Sequence, residues 1–364
     1  MITHKSPAKA AYLLLLAATL LFFASSSCSQ RPSYSRIEGF AQGGTYHIIY
    51  SSPADKGITN DSVLFLVSGI LRDIDFSISG YNKASLLSRF NAGTECIPDR
   101  YMTEAFIISR QIWEETGGLF DISGGPLFDF WGFGFADPAL LDSLKVDGNT
   151  ARKVDSLLQF TGMEGIRLEN GRLVKDDPRA RLNFNAIAQG YTCDVIAKAL
   201  DSLGVNDYLV EVGMEIVCKG MNASGKPWRI AIDAPVDGSQ TAGENIQDIL
   251  ELSGCAIVTS GNYRKFHIID GEKYSHSINP VTGYPSRHNL LSATVIISGD
   301  TTSADSSGNK KYTPEQYPGA YADAYATYCM VIGKDAAENF IRSRHNLKGY
   351  LIYSGGTVKI MEQD

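Results

Sequence analysis

The chain has 364 residues, 44% of them hydrophobic, with 33 Lys and Arg against 40 Asp and Glu for a formal charge of −7. That apolar share supplies a packed core for one large or two modest domains. The acidic balance, without any run of Lys and Arg, excludes a general nucleic-acid binder, which carries a basic face.

At the N-terminus, Lys5 and Lys9 precede a run of mostly Leu, Ala and Phe from Ala10 to Ala24, followed by Ser25-Ser26-Ser27-Cys28. A basic start, a short apolar stretch and small residues make the pattern of a secretory leader, and the run is short for a spanning helix. The small residues before Cys28 resemble a bacterial lipobox, although Leu is missing at the third position before the cysteine. That resemblance implies a lipid on Cys28 as the mature N-terminus; soluble export and an uncleaved anchor are the alternatives. Residues 1–27 are then a signal peptide, 28–37 a Ser/Pro/Arg tether and 38–364 the folded unit. The remaining Cys96, Cys193, Cys218, Cys255 and Cys329 are too irregularly spaced for a disulfide framework or a zinc site, so buried thiols are expected.

Thr45 to Ser51 reads as a strand. Asp61 to Phe76 reads as a helix with Val63, Leu66, Val67, Ile70, Leu71 and Ile74 on one side. Thr103 is placed to cap a second helix reaching Glu115, which Gly117-Gly118 ends. A third helix is expected from about Ala186, turning Ile187, Tyr191, Val195 and Leu200 inward. YLVEVG, EIVCKG, WRIAID, CAIVTSG, KFHIID and LSATVIIS follow with turn residues between them, which predicts an antiparallel sheet. Helices over Ala322–Val331 and Lys334–Ser343 come next, and YLIYS and TVKIM close a hairpin about Gly355-Gly356. Val236–Asn245 and Gly299–Pro318 lack periodicity and read as surface insertions. No repeat or clean linker splits the chain, so the expected class is α+β, one compact domain with an antiparallel sheet and flanking helices.

Four segments carry chemistry. In FDISGGPLFDFWGFG (Phe120–Gly134), glycines let backbone approach a ligand, and Trp131 and Phe133 suit a wall for a planar ring; a Gly-rich loop plugged by aromatics is the plainer reading. In NFNAIAQGY (Asn183–Tyr191), Asn183 or Asn185 is placed to cap a helix whose free N–H groups attract phosphate, and a cap without a ligand fits equally. In ADAYAT (Ala322–Thr327), Asp323 and Thr327 lie one helical turn apart, an oxygen pair suited to magnesium or a simple surface cap. In YSHSINPVTGYP (Tyr274–Pro285), Asn279-Pro280 and Gly283 account for a turn, whereas His276 among hydroxyls is left for acid–base chemistry.

Together with QGGTYH (Gln42–His47), SISGYNKASLLSRFN (Ser77–Asn91), VEVGME (Val210–Glu215), PWRIAIDAP (Pro227–Pro235) and TSGNYRKF (Thr259–Phe266), these segments resemble in order and spacing the ApbE family of FAD:protein FMN transferases, or flavin transferases. The resemblance runs from about Gly39 to Met361. It implies that Gln42, Tyr81, Leu119, Phe120, Asp121, Asn183, Gln189, His276 and Ile278 hold FAD. It also implies that the Ala186 carbonyl, Asp323 and Thr327 hold magnesium, and that His276 is the general base. The implied reaction passes FMN from FAD to a Thr or Ser of an acceptor protein and releases AMP. The implied acceptors are extracytoplasmic flavoprotein subunits, such as those of ion-pumping oxidoreductases, reached from a membrane-anchored position outside the cytoplasm. An FAD pyrophosphatase and an FAD-storing lipoprotein are the alternatives.

The chain departs from the family's usual residues at several points. Gln42-Gly43-Gly44 stands for Met-Gly-Thr, Asn183 for Asp, Asn185 for Ser, Gln189 for Lys or Glu, Met214 for the second Gly and Asn279 for Asp. The Asn183 change removes a carboxylate beside the expected FAD site.

Overall fold

The structure is a computed structural model that describes residues 33–52, 57–135, 146–238, 243–299 and 311–361. The expected signal peptide and Cys28 lie outside the described residues, as do residues 239–242 and 300–310 of the two expected insertions. Strand β1 (Ser33–Ala41) turns back into β2 (Gly44–Ser52), where Tyr46, Ile48 and Tyr50 alternate inward. Helix α1 (Asn60–Ile78) starts with a capping box between Thr59 and Ser62 and buries Val63, Val67, Ile70, Leu71 and Ile74. It is followed by α2 (Leu86–Ala92), β3 (Glu95–Cys96) and α3 (Arg100–Glu115), then by α4 (Gly125–Phe130) and α5 (Gly148–Leu158). Short strands β4 (Ile166–Glu169) and β5 (Arg172–Lys175) pair with each other and with β3.

Helix α6 (Ala188–Ser202) leads into β6 (Tyr208–Val212), β7 (Glu215–Lys219), β8 (Trp228–Asp233), β9 (Ile246–Leu252) and β10 (Cys255–Gly261). The chain continues through β11 (Phe266–Ile269), β12 (Glu272–Ser275), β13 (Leu290–Ser298), α7 (Pro318–Ile332), α8 (Lys334–Arg342), β14 (Leu347–Tyr353) and β15 (Gly356–Ile360). The central sheet is antiparallel with order β1-β2-β6-β7-β10-β13-β14-β15. Helices α1, α3, α6 and α7 contribute to the main core on one face, while Trp228, Ile230, Ile232, Leu250 and Leu252 build a second core on the other. A third cluster joins Leu127, Trp131 and Val154 to Tyr274 and Ile278.

The α+β expectation holds, with corrections in detail. Residues Ser33–Ile37, read as part of a tether, belong to β1 and pair with β2, with only Ile37 of that strand buried. A single inward residue leaves the polar alternation of an edge strand, which looks like linker in sequence. WRIAID and KFHIID do not extend the central sheet: β8 pairs with β9, β11 with β12. β8 has one apolar row, Trp228, Ile230 and Ile232, and lays it on the sheet instead of continuing the ladder. Asp99, one turn earlier than Thr103, caps α3 by accepting the Met102 N–H. The C-terminal part of the 299–318 stretch is packed, with Tyr317 buried and the Gln111 side chain bonded to Tyr312. Val236–Asn245 falls between β8 and β9.

Candidate active site

Two glycines let α6 and α7 cross in near backbone contact. A Cβ on Gly190 would overlap the Gly319 carbonyl and lie 2.8 Å from the Asp323 Cβ; a Cβ on Gly319 would strike the Gly190 carbonyl. The buried Asp323 Oδ2 accepts the Gly190 N–H at 3.2 Å. Gly190 is the third residue of α6, where a backbone N–H has no acceptor within the helix, so Asp323 reaches over from α7 to satisfy it. Asp194 accepts the N–H groups of Gly319 and Ala320, both at 2.8 Å, and caps the start of α7. Burial pushes the carboxyls of Asp323 and Asp194 well above the usual carboxylate range, against the backbone N–H groups that lower them.

Glu215 adds a third acid here. Burial, with the neighbouring Asp323 charge, pushes its carboxyl far up, and its buried Oε2 has no hydrogen-bond partner. Thr327 is half-buried one turn beyond Asp323, its Oγ1 at 3.4 Å from the Ser260 Oγ of β10. Gln42, in the β1–β2 turn at φ 51, donates from Nε2 to Thr192 Oγ1 at 2.6 Å, and its buried Oε1 has no partner. Gln189 Nε2 donates to the Gln42 carbonyl at 3.5 Å and lies where any side chain on Gly213 would have to go. The structure thus brings Gln42, Gln189, Asp323 and the residues around Ala186 to one end of the α6–α7 crossing.

Asn183 and Asn185 do not cap α6, which begins at Ala188 after Ile187 without a side-chain cap. Instead, Asn183 Oδ1 accepts the Asn185 N–H at 2.9 Å, an Asx turn that aims the chain into the helix. The Asn183 N–H donates to the Ile122 carbonyl at 2.7 Å, which ties this segment to Leu119, Phe120 and Asp121. Phe120 is buried and Leu119 half-buried; burial pushes Asp121 up to about 6 although the Ser123 N–H donates to it at 2.7 Å. Tyr81 is exposed, meets the Phe135 ring edge-on, and receives Asn185 Nδ2 on its hydroxyl at 3.5 Å.

His276 sits half-buried in the loop after β12. Its backbone N–H donates to the Lys265 carbonyl, and Nδ1 lies 3.1 Å from the same oxygen. A carbonyl only accepts, so Nδ1 carries the proton and Nε2 keeps a free lone pair. Burial, aided by the Lys265 charge, pushes the imidazole down to about 4, so it is neutral at neutral pH. The loop is held from below: Trp131, fully buried, donates Nε1 to the Gly283 carbonyl at 2.8 Å and stacks on Tyr274. Trp131 is therefore a brace in the core, the plainer of the two readings its sequence context offered, while Phe133 lies edge-on to His276. Ile278 is buried and bridges to Pro285 across the turn.

Sequence reasoning passed over Thr192, Ser260, Lys265 and Glu215, although all but Thr192 stand inside segments it had singled out. Their signal was positional, since none of these residue types is informative alone. Among the described residues no three His, Cys, Asp or Glu side chains are grouped as a metal site. The residues expected to hold magnesium, the Ala186 carbonyl, the Asp323 carboxylate and the Thr327 hydroxyl, would offer hard oxygens of the kind that ion takes.

The family model described as the ApbE family matches residues 43–309. The FAD:protein FMN transferase of Vibrio cholerae serotype O1 is 32% identical over 328 residues, 89% of this chain and 88% of that protein. The FAD:protein FMN transferase of Escherichia coli K12 is 30% identical over 357 residues, 94% of this chain and 92% of that one. The flavin transferase ApbE from Vibrio cholerae superposes with a TM-score of 0.73 at 28% identity, covering 91% of this chain and 97% of its own. The Pseudomonas stutzeri flavinyl transferase ApbE in its apo form gives 0.74 at 28% identity, covering 92% and 96%. With a family model matched over most of its length and relatives at 30% identity or more across nearly all of it, the chain belongs to the ApbE family.

Proposed function

We propose that the chain is an FAD:protein FMN transferase that joins the FMN half of FAD to a Thr or Ser hydroxyl of an acceptor protein and releases AMP. The observation that carries this reading is the buried Asp323 carboxylate, held at the N-terminus of α6 by the Gly190 N–H a few residues from Ala186. Ala186, Asp323 and Thr327 would hold magnesium, and the orphaned Glu215 Oε2 beside them is what a nearby cation would offset. A magnesium ion there supplies positive charge against the diphosphate.

The residues of the chain supply the rest. Gln42, Tyr81, Leu119–Asp121, Asn183, Gln189 and Ile278 would bind FAD, as the family resemblance implies. His276 Nε2 accepts the proton of the attacking hydroxyl as its oxygen bonds to the FMN-side phosphorus and the bond to the AMP oxygen breaks. Its low resting basicity rises when the anionic diphosphate arrives, because a nearby negative charge favours the imidazolium. The proton-bearing Nδ1 stays anchored on Lys265 throughout.

The N-terminal pattern supports export and a lipid on Cys28, so the acceptor would be a flavoprotein subunit outside the cytoplasm. Mass spectrometry of a candidate acceptor, incubated with the protein, FAD and magnesium, tests the reading. The expected product is an FMN adduct on one Thr or Ser with one AMP per adduct. Release of FMN and AMP at the same rate without acceptor would favour a pyrophosphatase, and FAD retained without AMP a storage protein.

A further inference from the structure

On the face of the sheet opposite the α6–α7 crossing, Cys218 of β7 stands directly across from Cys255 of β10, with the sulfurs 3.9 Å apart. Both are thiols and both are buried, 1% and 4% exposed. The chain between them, residues 219–254, holds the β8–β9 hairpin, which shares no ladder with the central sheet and covers the two sulfurs with Trp228, Ile230, Leu250 and Leu252. Its attachment is packing together with a few hydrogen bonds, such as Trp228 Nε1 to the Lys219 carbonyl at 2.9 Å.

We propose that Cys218 and Cys255 form a cross-strand disulfide that pins both roots of the β8–β9 hairpin. Directly opposed strand residues bring their Cβ atoms to about 4.5–5.5 Å. A disulfide needs about 3.5–4.5 Å, so side-chain rotation with a slight closing of the strands suffices. The oxidant is another disulfide, small-molecule or protein. One cysteine loses its proton and attacks that disulfide, and the second then displaces the mixed intermediate, so two thiols lose two protons and two electrons while the oxidant becomes two thiols. Hydrogen bonding to Cys255 and burial push the Cys218 thiol up, which leaves little thiolate once the hairpin has docked. The bond therefore forms during folding, before the hairpin settles.

The full chain is unfolded with reductant, refolded in oxidised and reduced glutathione, blocked with iodoacetamide in denaturant and digested for mass spectrometry. The expected result is one linked peptide pair joining Cys218 to Cys255, with Cys96, Cys193 and Cys329 alkylated and Cys28 outside any disulfide. The thermal midpoint should stand a few degrees above that of the dithiothreitol-treated protein, a difference that the Cys218→Ala and Cys255→Ala variants lack. Complete alkylation of both cysteines in the refolded wild type, or a link to any other cysteine, overturns the proposal whether or not the variants fold.

Discussion

Asp323 Oδ2 takes the Gly190 N–H at 3.2 Å, so one carboxylate both locks the α6–α7 crossing and satisfies an open N–H in the first turn of α6. Charge and hydrogen bonding at this position can be separated. Asp323→Asn keeps an oxygen for Gly190 and should fold, yet lose magnesium-dependent transfer. Asp323→Ala should lose transfer and also strand the buried N–H, lowering stability by about 1–3 kcal/mol. Denaturant titration beside an AMP-release assay checks both. Transfer by Asp323→Asn at the wild-type rate would remove the carboxylate from the reaction.

His276 predicts a pH signature with a definite sign. Its imidazole is pushed down to about 4 from an ordinary 6.5, so between these values the unfolded chain binds more protons than the folded one. The contribution to stability is complete above pH 6.5 and is lost as pH falls toward 4. His276→Gln should flatten that part of the stability profile and lower transfer by about 10²–10⁴-fold while leaving FAD affinity in place. Stability measured from pH 4 to 7, with FAD titrations, decides; an unchanged transfer rate would exclude the imidazole as base.

Trp131→Phe removes the donor to the Gly283 carbonyl from a fully buried position. We expect a stability loss of about 1–3 kcal/mol. Transfer should fall as well, since the brace fixes the loop that carries His276. Denaturation and steady-state kinetics on one preparation would show both; a stable variant with slower transfer would localise the effect to the loop.

Met214 holds φ 85, a conformation suited to glycine, at the β6–β7 turn, where Glu211 Oε1 accepts its N–H at 2.8 Å. Met214→Gly should relieve the strain and raise stability by about 1 kcal/mol. Thermal melts test this, and a lowered midpoint would mean that the thioether's contact with Arg264 outweighs the strain.

What the sequence made legible followed from local pattern. The inward row of α1 reads directly from its periodicity, α8 and the closing hairpin stand where spacing placed them, and α7 does so apart from an extra first turn from Pro318. Pairing partners were not legible, because WRIAID has the same alternation whether it extends a sheet or covers one. Caps were misread for a related reason: Asp99 outcompetes Thr103, and Asn183 makes a turn before α6. The residues gathered at the crossing were found as motifs, but their contacts depend on two glycines whose role appears only once the helices are packed.

Strand β1 begins at Ser33 and ends at Ala41, next to Gln42 in the turn. At about 3.4 Å per residue, its two ends are separated by roughly 27 Å. Anything grafted upstream of Ser33, whether an affinity handle, a fused carrier or an acyl chain, joins the fold a strand's length from Gln42. An immobilised enzyme held by that terminus would keep the Gln42 end facing outward, open to a bulky macromolecular substrate.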